Sequence, residues 1–206
     1  MLCAAGCASA PHTVDRAGEL TAAEAMRVQQ ARLPLALPGV TLLHEVAIGA
    51  PDRFTVCVGR LTFPTADSLH LMAQTPFGVT LFQVRCEGPR CSAQMTAALH
   101  GRVPALGLAR EIGRIYLGAC PAESPVFRAG QDTQARCTAS DGARLYERID
   151  PAHRLVERAI HEAGGRALRI RYRDWAPLGR AWHPRRITLV SGDYRIEIAL
   201  RETQGP

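Results

Sequence analysis

The stretch Leu69-His70-Leu71-Met72-Ala73-Gln74-Thr75-Pro76-Phe77-Gly78-Val79-Thr80-Leu81-Phe82-Gln83-Val84 decides the fold class. Leu69, Leu71 and Ala73 alternate with Ser68, His70 and Gln74, the period of a strand with one buried face. Thr75-Pro76-Phe77-Gly78 has turn composition, and residues 79–87 resume as a further strand. Working outward, Phe54, Val56 and Val58 alternate with Arg53, Thr55 and Cys57 upstream, and residues 90–97 give a fourth strand downstream. Short turns between strands make an antiparallel meander the simplest topology.

Two segments carry helical spacing instead. Residues 20–33 are rich in Ala, Glu, Arg and Gln and are stopped by Pro34. Between residues 103 and 118, Leu106, Ala109, Ile112, Gly113 and Tyr116 fall on one face and Arg110 and Arg114 on another, with Gly118 and Pro121 as stops. Residues 121–143 are aperiodic and read as loop. Residues 150–165 support two readings. One is a helix capped by Asp150 with Pro151 in its first turn. The other is a hairpin turning at Gly164-Gly165 into Leu168, Ile170 and Tyr172. Local signals slightly favour the helix. Residues 186–191, a Gly192-Asp193 turn, and Tyr194, Ile196, Ile198 and Leu200 form a closing hairpin.

Composition bounds the rest. With 206 residues, 47% hydrophobic and 21% charged, the chain suits one soluble globular domain, not a disordered tail, a collagen or a small disulfide scaffold. The longest apolar stretch, residues 33–44, is broken by Pro34 and Pro38 and is too short to span a bilayer. The net charge is +6, and all 25 basic residues are Arg. From residue 144 onward, 13 Arg face 8 acids, which reads first as an Arg-studded outer strand face. Aromatics are only 5%, and the chain has neither an RNP-type run nor zinc-knuckle spacing, so nucleic acid is not the expected partner.

At the N-terminus, Ala4-Ala5-Gly6-Cys7 resembles the lipobox of bacterial lipoproteins, in which the Cys thiol carries diacylglycerol. Only six residues precede Cys7. The expected organisation is a truncated signal and tether over 1–18, then a single domain over 19–206. Ser9 follows Ala8 with no Asp after the Cys; by resemblance to enterobacterial sorting signals this implies the outer membrane, periplasmic face. Cys86 and Cys91 bracket Glu87-Gly88-Pro89-Arg90 and could pair across a hairpin mouth, and Cys120 and Cys137 could close a longer loop. Cys57 then remains as a small buried hydrophobe. The cysteine spacing is not that of a zinc site.

Seven His are scattered without a catalytic or metal-binding motif. Ser191-Gly192-Asp193 reads as a hairpin turn, and Gly164-Gly165-Arg166 lacks the spacing of a phosphate loop. The expectation is therefore a binding protein, not an enzyme, with no cofactor and no metal.

The order of these features resembles a family of bacterial lipoproteins of undefined function related to LolB and LolA, the outer-membrane lipoprotein receptor and its periplasmic carrier. Some members are encoded near aryl polyene biosynthesis genes. The resemblance spans residues 20–202. It rests on the lipobox, Thr75-Pro76-Phe77-Gly78 with Leu81-Phe82, the central helix, and the closing Arg186-Ile187-Thr188-Leu189 and Tyr194-Arg195-Ile196-Glu197-Ile198. It implies an α+β fold: an unclosed antiparallel β-barrel, a half-barrel with helices covering the mouth, and a hairpin at 150–172. The implied lipid-cavity residues are Phe54, Val56, Val58, Leu69, Leu71, Phe82, Val84, Leu168, Ile170, Ile196 and Ile198. Phe77 matches an apolar loop residue that enters the membrane, and the alternative is that it folds back as a turn plug.

The implied function is a non-catalytic, lipid-anchored monomer that takes acyl chains of a lipid or lipoprotein from a LolA-like periplasmic carrier to the outer membrane. The alternatives are a structural scaffold of an envelope or aryl polyene assembly, and a periplasmic enzyme acting through Cys57 on a polyene lipid.

Overall fold

The structure, a computed structural model, describes residues 20–31, 35–50, 53–96, 105–118, 120–121, 123–139, 141–179, 181–192 and 194–204. Cys7 and the tether lie outside them. Among the described residues, two helices, α1 (Ala22–Ala31) and α2 (Ala105–Tyr116), accompany twelve strands. The first five are β1 (Thr41–Ala50), β2 (Arg53–Thr62), β3 (Ser68–Gln74), β4 (Thr80–Glu87) and β5 (Arg90–Met95). After α2 come β6 (Val126–Ala129), β7 (Asp132–Thr138), β8 (Arg144–Ile149), β9 (Leu155–His161), β10 (Ala167–Leu178), β11 (Ala181–Ser191) and β12 (Arg195–Gln204). No described helix is long and apolar enough to cross a membrane.

All twelve strands form one antiparallel sheet in the order β5-β4-β3-β2-β1-β12-β11-β10-β9-β8-β7-β6. It is two meanders fused where β1 meets β12. Because β5 and β6 are opposite edges, the sheet is open. The connection carrying α2 must therefore cross from one edge to the other. It does so over the apolar face, where Leu108, Ala109, Ile112, Ile115 and Tyr116 of α2 are buried in the same core as the strands. Burying such side chains contributes roughly 2 kcal/mol each.

Two sequence expectations are corrected by strand pairing and burial, and a choice left open is decided. Residues 121–143 contain β6 and β7, whose polar, small-residue composition hides the alternation because only Ala135 is buried on β7. Residues 150–165 take the hairpin that the resemblance implies and not the helix that local signals favour: Arg154 N and Asp150 N close the turn between β8 and β9, and β9 pairs with β10. Phe54, Val56 and Val58 do not face the core; they are 44%, 52% and 46% exposed. The buried side of β2 carries Cys57, Gly59 and Leu61, opposite Val46, His44 and Leu42 of β1. The space there admits only small groups: a Cβ on Gly59 would stand 3.0 Å from Val46 Cγ2 and 3.2 Å from Leu71 Cδ1. The larger apolar residues are forced outward.

The outer face holds Arg169, Arg171, Arg186, Arg195 and Arg201 in ion pairs with Glu157, Asp174, Glu197 and Glu45. Disulfides join Cys86 to Cys91 and Cys120 to Cys137, while Cys57 is free and buried. The first disulfide packs on α2, where a Cβ on Gly113 would lie 2.6 Å from Cys91 Sγ. Gly113→Ala is therefore expected to destabilise the chain by about 1–3 kcal/mol in urea unfolding, despite alanine's better helix propensity.

Candidate functional site

α2 is held to the sheet by polar stitches as well as by apolar burial. Arg158, fully buried on β9, donates from Nε to Glu147 at 2.9 Å and from Nη1 to the Arg114 carbonyl of α2 at 2.5 Å. Tyr172 Oη donates to the Ile115 carbonyl at 3.1 Å. These donors satisfy carbonyls of the last helical turn, where a cation is also favoured by the helix dipole. One turn earlier, buried Glu111 accepts from Arg166 at 2.5 Å and from the Tyr194 hydroxyl. Arg166 also donates to Ser191 Oγ at 2.8 Å. On the rim, Arg114 reaches Glu162 at 2.5 Å and Asp141 at 2.7 Å.

This arrangement places the expected cavity residues. Leu69, Leu71, Phe82, Val84, Leu168, Ile170, Ile196 and Ile198 all lie on the inner face and are at most 4% exposed. α2 shares that core, so it stands where an acyl chain against them would have to lie.

Open space lies instead at one end of the sheet. A cleft of about 650 Å³ runs between α1 (Arg27, Gln30, Ala31), the following Leu35-Ala36-Leu37, and the strand ends that carry Leu155, Trp175 and Trp182. That volume is in the range of small-molecule sites. His153 and Arg154 of the β8–β9 turn and His183 of β11 complete it. Arg154 lies over the Trp182 ring at 4.5 Å. Strain concentrates here: the two described non-glycine residues with left-handed backbone are His153, at φ 58°, and Asp174, at φ 55° beside Trp175.

The helix over this cleft is lightly held. α1 is N-capped by Thr21, whose hydroxyl accepts from Glu24 N at 3.2 Å while Glu24 accepts from Thr21 N at 2.8 Å. Glu24 also pairs with Arg128, and Val28 is the helix's buried residue. A helix of ten residues with so little burial opens at low cost.

Phe77 is 93% exposed, so it does not fold back as a turn plug. Its turn is rigid: Gly78 N donates to the Thr75 carbonyl at 2.9 Å, Thr75 N to Val79 O at 2.8 Å, and Gly78 takes φ 84°. Cys57, by contrast, donates to the Val46 carbonyl at 3.4 Å, and burial pushes its thiol up to about 11, the state of an unreactive cysteine. Among the described residues, no group of His, Cys, Asp and Glu is placed to hold a metal ion.

The cleft residues escaped the sequence reading, although a signal existed. Both tryptophans of the chain stand on a single hairpin, Trp175 opposite Pro184 and Trp182 opposite Pro177, two register positions apart.

No protein-family model matches the chain, and no curated protein matches it in sequence. Solved structures do match in shape. A LolA superfamily protein from Nitrosomonas europaea superposes with a TM-score of 0.62 at 10% identity, covering 91% of this chain and 94% of that one. The likeness is one of fold. A domain from Vibrio parahaemolyticus described as an outer membrane lipoprotein-sorting protein gives 0.62 at 11% identity, covering 88% and 91%. A DUF1329 family protein from Desulfovibrio piger gives 0.60 at 8% identity, covering 88% and 90%.

The α2 stitches make stability depend on pH. Burial raises Glu111 to about 7 from 4.5, against the opposing pull of Arg166. The folded state thus binds this proton more tightly than the unfolded one. Stability from this group is fully present below pH 4.5 and is lost as pH rises through about 7. His44 and His183, lowered by burial to about 3 and about 4, give the opposite slope as pH falls below 6.5. Comparing Glu111→Gln with the parent in urea titrations from pH 4 to 8 should remove a decline on the order of 3 kcal/mol.

Proposed function

We propose that this chain is a non-catalytic, lipid-anchored protein of the periplasmic face of the outer membrane, which binds acyl chains of a lipid or lipoprotein and helps deliver them to that membrane. The observation that carries the reading is the cleft of about 650 Å³ under α1, walled by Leu35, Leu37, Leu155 and two tryptophans. Each methylene buried there contributes about 0.8 kcal/mol. Arg27 and Arg154 at its rim suit an anionic end. A LolA-type sheet supports the reading by fold.

In this reading Cys7 carries the anchor, a LolA-like periplasmic carrier is the donor, and Phe77 enters the bilayer on its rigid turn beside exposed Val79. The cargo leaves α1's cleft when the membrane offers its chain equal burial without the cost of holding α1 open.

One observation favours a second reading. The inner sheet face is filled by α2 and not by an open cavity, which suits a structural scaffold of an envelope or aryl polyene assembly. The third reading, an enzyme acting through Cys57, has the buried, unreactive thiol against it.

Native mass spectrometry of the full chain, directed to the periplasm, separates the first two. Acyl lipid should co-purify with the parent and be lost from a folded Trp182→Asp variant. Phe77→Asp should keep its lipid yet slow transfer to phospholipid vesicles. A parent chain that emerges free of lipid contradicts the proposal and favours the scaffold.

A further inference from the structure

Three ring nitrogens among the described residues are buried without a hydrogen-bond partner: His44 Nε2, Trp175 Nε1 and His183 Nε2. Two belong to residues that line the cleft. A buried polar atom left unpaired costs about 1–3 kcal/mol, so two at one cleft call for an explanation.

Their chemistry can be assigned. Trp175 Nε1 is a donor only. His183 Nδ1 lies 2.9 Å from the Pro184 carbonyl, which only accepts, so Nδ1 carries the proton. Burial keeps the ring neutral, well below its ordinary value, and Nε2 is therefore a bare acceptor. His44 lies close enough to His183 for that ring to add to the burial that holds His44 neutral. Two residues of the cleft wall thus carry one uncharged donor and one uncharged acceptor, both shielded from solvent, so a ligand that satisfies them must displace the side chains that cover them.

A methylene chain satisfies neither atom. A carboxylate or ketone can accept from Trp175 but gives nothing to His183, and an ammonium does the reverse. A hydroxyl or a secondary amide does both. At the rim, Arg27 and Arg154 have no carboxylate partner among the described residues, and Arg154 is steadied by its stacking on Trp182.

We infer that the cleft selects an acyl chain that carries a neutral group able both to donate and to accept a hydrogen bond, a hydroxyl or a secondary amide, and that ends in an anion. This rests on the acyl-binding reading and names the cargo class within it. The strain at His153, which lines the cleft, and at Asp174, next in sequence to Trp175, is what a preformed polar site would show.

The test titrates the full chain with hexadecanoic acid, 3-hydroxyhexadecanoic acid and N-palmitoylglycine, using tryptophan fluorescence, since both tryptophans lie in the cleft. At least one of the two functionalised probes should bind about tenfold or more tightly than the plain acid. Which one does so identifies a hydroxylated or an amide-linked chain. In His183→Leu the preference should shrink to within about twofold. Because that variant could misfold, the Trp175 indole N–H resonance of the parent provides a second readout, shifting downfield with the preferred probe and not with hexadecanoic acid. Equal affinity for all three probes overturns the inference and leaves acyl binding intact. No binding of any probe overturns both.

Discussion

An open twelve-stranded sheet with one apolar face must cover that face, and the rest of this molecule follows from how it does so. The two edges, β5 and β6, are consecutive in the chain yet lie at opposite sides of the sheet. The segment joining them has no choice but to cross, and α2 makes that crossing its core contact. Apolar burial alone would let the helix slide. Arg158, Tyr172 and the Glu111–Arg166 pair fix it to particular strands by reaching its carbonyls and its one buried carboxylate. In a buried pair such as Arg158–Glu147 the cost of desolvating both charges offsets much of their attraction.

With α2 seated, the useful opening moves to the end of the sheet beneath α1. The two helices differ in kind. α2 carries seven buried residues and ionic stitches, whereas α1 carries one buried residue and a surface ion pair. The lightly held helix covers the cleft, and the firmly held one is structural. The outer Arg-rich face is laced into ion pairs with Glu157, Asp174, Glu197 and Glu45, which makes it a solvated surface before it is a binding one.

Much of the sheet was legible in residues because period two survives wherever one side is apolar. The strands around Thr75-Pro76-Phe77-Gly78, the closing hairpin and both helices stood out for that reason. Parity on β2 was not legible, since Phe54, Val56 and Val58 look like core until Gly59 is placed against Val46 and Leu71. β6 and β7 were missed because the edge strand β6 and its neighbour β7 bury little and so keep no apolar rhythm. The helix-like pattern at 150–165 yielded to pairing with β8 and β10, where tertiary contacts outweigh a local cap. The cleft was beyond sequence reading for a different reason. It is assembled from α1, the Leu35 segment, one turn and one hairpin, and no single stretch shows it.

The most direct measurement is the location of a bound acyl chain, read as intermolecular NOEs between carbon-13-labelled hexadecanoic acid and the full chain. Contacts to Leu37, Leu155 and Trp182, with the α2 resonances around Glu111 and Ile112 unmoved, are the predicted result. Contacts to Leu69, Phe82 and Ile196, with α2 displaced from the sheet, would contradict it.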